Sequence, residues 1–76
     1  MSYQTYIERN QEVMLGKPII KGTRITVEIV MRKLAGGHTI QQLLQAYPQL
    51  NEEQIKAVFE YVADVIANDE LLEAAW

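Results

Sequence analysis

Five cations fall between residues 17 and 33 of the chain: Lys17, Lys21, Arg24, Arg32 and Lys33. Basic side chains clustered this way attract polyanions, and their commonest work is contact with phosphate oxygens. The first three lie among Gly16, Pro18 and Gly22, which interrupt any helix and leave backbone amides available beside the cations. Such a segment can track a DNA backbone or enter a minor groove, as homeodomain arms do. A local reading stands beside this one. Lys17 is then simply solvated, and Arg24 holds a carboxylate of a neighbouring helix or subunit. Gly16-Lys17 is no nucleotide phosphate loop, because Pro18 stands where Ser or Thr is required and no glycine lies five residues upstream.

The net charge of −3 conceals a division near Lys33. Residues 1–33 add Arg9 to those five cations, against Glu8, Glu12 and Glu28, for a balance of +3. Residues 34–76 hold Lys56 against Glu52, Glu53, Glu60, Asp64, Asp69, Glu70 and Glu73, for a balance of −6. A polyanion is therefore expected to meet the first half of the chain.

Bond-making chemistry finds little support. His38 is the sole histidine, and its place between Gly37 and Thr39 reads as a turn residue with no nucleophile paired to it. No cysteine is present, and the carboxylates fall at helical surface spacing, so neither a metal site nor a cofactor is expected. The expectation is a non-enzymatic binding domain.

The elements that position these residues are legible from periodicity. With 76 residues the chain has room for one domain and one core. Thr26 caps a helix whose apolar stripe is Val27, Val30, Met31 and Leu34, with Glu28 in the first turn, Arg32 and Lys33 near the last, and Gly36-Gly37 as the stop. Thr39 and Gln42 form a capping box opening a second, two-turn helix with Ile40, Leu43 and Leu44 inward, ended by Pro48. Asn51 and Gln54 open the third, with a hydrophobic staple of Leu50 and Ile55. Its core face reads Ile55, Val58, Phe59, Val62, Ala63 and Ile66, and it extends to Asn68-Asp69, where another short helix can begin. Before Thr26, Tyr6-Ile7 and Val13-Met14-Leu15 read as short strands of an extended arm, paired in a hairpin or exchanged between subunits. The fold class is thus mainly α: an arm over residues 1–25, a three-helix helix-turn-helix core over 26–68, and an apolar tail over 69–76, all one domain.

These residues also carry a family resemblance. GKPIIKGTRI from Gly16 to Ile25, the pair Gly36-Gly37, AYPQL ending at Leu50, and AVFEYVA from Ala57 to Ala63 together resemble the bacterial domain of unknown function 433 family. Typical members read close to GGKPVIKGTRIPV, then a glycine, a YP-x-L turn and a tyrosine-bearing final helix. The resemblance implies a homeodomain-like helix-turn-helix, antitoxin-like and often paired with a PIN-type ribonuclease toxin. Asn10-Gln11 replaces the usual Asp-Pro, Leu15 the first glycine, and Thr26 a proline. The second change bears on the arm's turn, because leucine takes positive φ less readily than glycine.

The resulting expectation is a homodimeric, DNA-binding antitoxin that neutralises its toxin and represses its own operon. Lys17, Lys21, Arg24, Arg32, Lys33 and Lys56 are its DNA contacts. Tyr61, Val65, Leu71, Leu72 and Trp76 are its partner contacts, the first two extending the apolar surface of the third helix beyond one core face. The alternative is a protein-only adaptor with no DNA binding. The acids around Lys56 on the presumed reading helix favour it, since carboxylates near phosphates weaken binding. Without a membrane-spanning apolar run or a signal-peptide pattern, the expected compartment is the cytoplasm.

Overall fold

The computed structural model describes the backbone of residues 3–74 and the side chains of residues 3–68. A 3-10 turn at Tyr3–Thr5 leads into strand β1 (Ile7–Glu8), strand β2 (Ile19–Ile20) and helices α1 (Val27–Ala35), α2 (Ile40–Ala46) and α3 (Glu52–Ala74). The fold is mainly α with a small β arm, and no helix among the described residues is long and apolar enough to cross a membrane.

The helix ends obey local chemistry. Thr26 Oγ1 accepts from the Ile29 amide at 3.0 Å, satisfying one of the unpaired N–H groups of the first turn of α1. That helix stops through Gly37 at φ 102°, with the Gly36 and His38 amides donating to the carbonyls of Arg32 and Lys33. Thr39 and Gln42 form a reciprocal capping box at 2.8 and 3.1 Å, and Asn51 and Gln54 form another at 2.8 and 3.0 Å. Pro48 lies in the turn joining α2 to α3, which closes through the Leu50 amide on the Tyr47 carbonyl. Leu50 and Ile55 on either side of the second box are both buried, as a staple requires.

The arm departs from expectation. The partner of β1 is Ile19–Ile20, not Val13–Leu15, in antiparallel register with Ile7 opposite Ile20 and Glu8 opposite Ile19, within one chain. Val13 makes only an isolated antiparallel bridge to Asn10, because the backbone turns there. Asn10 Oδ1 accepts from the Glu12 amide, the Val13 amide donates to the Asn10 carbonyl, and Met14, Leu15 and Gly16 have φ of 51°, 57° and 81°. β2 is bonded on its other side too, the Ile20 amide donating to the Ile25 carbonyl and the Val27 amide to the Pro18 carbonyl. Its backbone is therefore satisfied on both edges.

Far from lying outside a three-helix core, the arm supplies Ile7, Ile19, Ile20 and Ile25 to it, beside Val27, Val30, Leu43, Leu50, Ile55 and Val58. Helix α3 also differs. It runs through Asn68-Asp69 to Ala74 without a break, and of its expected core face only Ile55 and Val58 are buried and Val62 half-buried, while Phe59, Ala63 and Ile66 are exposed. Ala57 is buried instead, because α2, β1 and the Tyr3–Thr5 turn pack around the first half of the helix.

Candidate functional site

The β2–α1 connection is built by the Gly-Thr-Arg element. Thr23 donates its hydroxyl to the Ile20 carbonyl at 2.7 Å and accepts from the Ile25 amide at 3.0 Å, while Gly22 takes φ 82° in open space. This clamp places Arg24 at the surface immediately before buried Ile25. Arg24 then lines a cleft of about 510 Å³ with Lys17 from the arm and Arg32 from α1. Ile25 and Ile29 form apolar parts of its wall, and Met14, Tyr47 and Gln49 bring in the arm's turn and the α2–α3 connection.

One carboxylate organises two of the three cations. Glu28 Oε1 accepts from Lys17 Nζ at 3.3 Å, and its Oε2 accepts from Arg32 Nε at 2.9 Å. Arg32, then Lys17, hold the Glu28 carboxyl below its ordinary value. All three side chains are about half exposed or more, so the network contributes little stability and serves to orient its members. The Arg24 guanidinium has no hydrogen bond or ion pair among the described residues. The local reading is thereby reversed: Lys17 holds the carboxylate, and Arg24 has no such partner among the described residues. With three cations against Glu28 alone, the cleft is electropositive.

The cleft rim carries backbone strain. Non-glycine residues in the left-handed region cost about 1 kcal/mol or more each, and here Met14 and Leu15 adopt it in succession. Leu15 is 83% exposed, so no burial of its side chain offsets that cost.

Of the other expected contacts, Lys21 is exposed on the neighbouring turn, and half-buried Lys33 lies near the end of α1, where its carbonyl receives His38. Lys56 is exposed on α3 and is not brought to the cleft. Tyr61 is half-buried and engaged within the chain: its ring meets Tyr3 edge-on at 5.4 Å between centroids, and Arg9 donates to its hydroxyl. Asp64, opposite the same turn, raises the Tyr3 pKa after the larger effect of partial burial. Val65 is exposed. The side chains of Leu71, Leu72 and Trp76 lie outside the described residues. Sequence reasoning missed Met14, Tyr47 and Gln49. The Tyr-Pro turn singled out Tyr47 as structural punctuation, but nothing local aims it towards Arg24.

A family model described as "Protein of unknown function (DUF433)" matches residues 7–62, from β1 through the buried half of α3 and including every residue of the cleft. The chain belongs to the DUF433 family. It is 32% identical over 50 residues to the uncharacterized protein y4eO of Sinorhizobium fredii, a match covering 66% of this chain but 23% of that protein. The chain thus corresponds to under a quarter of that relative's length. Its fold is similar to the crystal structure of a DUF433 member from Anabaena variabilis, with a TM-score of 0.78 and 28% identity, covering 95% of this chain and 68% of the other. Among the described residues no group of three or more metal-ligating side chains is gathered.

Proposed function

We propose that this DUF433 protein is a non-enzymatic, antitoxin-like regulator in the cytoplasm, which binds DNA as a dimer, captures a PIN-type ribonuclease toxin and represses its own operon. The observation carrying the DNA part is the convergence of Lys17, Arg24 and Arg32 on one cleft, with Arg24 unpaired among the described residues. Phosphate oxygens fit that cation set, and a half-exposed Glu28 tether can be exchanged for a phosphate at little cost. In this reading the arm and α1 meet the DNA backbone, with Lys21 and Lys33 extending the contact. The exposed Val65 and Ile66, together with the tail residues Leu71, Leu72 and Trp76, support the toxin-binding part.

A second reading, a protein-only adaptor, is favoured by one observation. Glu52, Glu53 and Glu60 are all exposed on α3, the helix that reads bases in a helix-turn-helix. Co-purification with the product of the adjacent gene, then a mobility-shift assay on the upstream DNA at two salt concentrations, separates the readings. The regulator forms a complex whose DNA affinity falls with salt, and Arg24→Ala weakens it about fivefold while leaving Tm unchanged. A complex that binds no DNA at low salt leaves the adaptor.

A further inference from the structure

The strained rim of the cleft has no role in holding phosphates, yet it is tightly specified. The Asn10 side chain on the Glu12 amide, the Val13 amide on the Asn10 carbonyl, and the Gly16 and Lys17 amides on the carbonyls of Val13 and Met14 leave the turn few alternatives. Gly16 is itself constrained by its φ of 81°, a conformation that residues with a Cβ rarely adopt. The outcome is a fixed platform from which Leu15, 83% exposed, and Met14, 40% exposed, project beside Lys17. A polar residue or glycine would suit water at Leu15 better, and glycine would also remove the strain. Strain that persists in a well-determined turn points to use of the side chain it displays.

We propose that Leu15, supported by Met14, is an apolar wedge that enters a base step of duplex DNA from the minor groove while Lys17, Arg24 and Arg32 hold the flanking phosphates; this rests on the nucleic-acid reading of the cleft. Leucine and methionine are among the side chains that unstack base steps in this way, and the cost of unstacking is offset by the further protein surface that the kinked duplex then covers. Here that surface includes the cationic cleft beside the turn. Met14 lines the cleft with the three cations, and exposed Leu15 follows it in the same turn, two residues before Lys17, so a groove seated on the cations has a base step within reach of Leu15. Flexible pyrimidine–purine steps are the expected insertion points.

The test uses the full chain with short duplexes tiling the DNA upstream of its gene, carrying 2-aminopurine at pyrimidine–purine steps. Binding of the wild-type protein should raise 2-aminopurine fluorescence at one step, the signature of unstacking. Leu15→Ala, which keeps the left-handed backbone, should abolish the rise and weaken binding about tenfold, with Tm and salt dependence unchanged because no phosphate contact is lost. Arg24→Ala should instead weaken binding and flatten the salt dependence. If Arg24→Ala behaves this way while Leu15→Ala binds and unstacks like wild type, the wedge is overturned and the nucleic-acid reading survives. If the wild-type protein binds none of the duplexes at low salt, both fall. Loss of toxin capture by Leu15→Ala with DNA binding intact would move the residue to a protein interface and also overturn the wedge.

Discussion

The arm before α1 and the outer half of α3 invert what their sequences suggest. The arm has two strands of two residues each and three successive positive φ angles, yet it places four isoleucines in the core. Helix α3 is the longest element, 23 residues or roughly 34 Å at 1.5 Å per residue, yet every described residue from Ala63 to Asn68 is exposed. Regular secondary structure and tertiary stability are therefore separable here. The arm is irregular because a buried backbone must find its hydrogen bonds among turns, and the outer helix is regular because an α-helix satisfies its own backbone without neighbours. The character of the surface divides along the same line, with a cationic cleft where the arm meets α1 and exposed apolar positions on α3 beyond the core.

The sharpest way to break this comparison is truncation on each side. Ile20→Ala, at a site with no exposed surface, should cost about 3 kcal/mol and leave a domain of this size near its unfolding threshold. Ile66→Ala, about half exposed, should cost no more than about 0.5 kcal/mol. Urea melts of the two variants measure this directly, and equal losses would mean that outer α3 is as much core as the arm.

A smaller effect of opposite sign sharpens the account of the arm. Leu15→Gly should stabilise the free protein by about 1 kcal/mol, because glycine adopts φ 57° without the Cβ clash, even after allowing for the added freedom of its unfolded chain. Thermal melting checks it. Destabilisation would show that the leucine side chain contributes packing that offsets the strain.

The smallest effect concerns Glu28. Its folded pKa lies below the ordinary 4.5, so its network contributes stability above that value, and the contribution is lost as pH falls through the lowered folded value. A Tm gap between the wild-type protein and Glu28→Gln should accordingly exist near neutral pH, close in acid below 4.5, and narrow with added salt. A gap constant across that range would remove the ion pairs as its cause.

How much was legible depended on the distance over which each feature is decided. Thr26, Thr39-Gln42 and Asn51-Gln54 announce helix starts because a cap bonds amides within three residues of itself. Membership of the DUF433 family was legible as well, since its signature is carried by contiguous motifs. The choice between Val13–Leu15 and Ile19–Ile20 as the strand was not. Both are short apolar runs, and the Asn10 turn together with the partners offered by Ile7 and Ile25 settles it. Phe59 and Ile66 sit at ideal core spacing, but α3 outruns the elements that cover it.

The amino-acid sequence by itself determined the three helices, their caps, the stops of the first two, and a basic first half set against an acidic second, because backbone capping, apolar period and charge are properties of neighbouring residues. Only the tertiary structure decided that the arm is core, that Lys17 and Arg32 share Glu28 while Arg24 stands unpaired among the described residues, and that Leu15 is displayed on a strained turn just before Lys17. Those outcomes depend on which surfaces meet when residues far apart in the chain compete for the same core, and on the few turns that compete successfully.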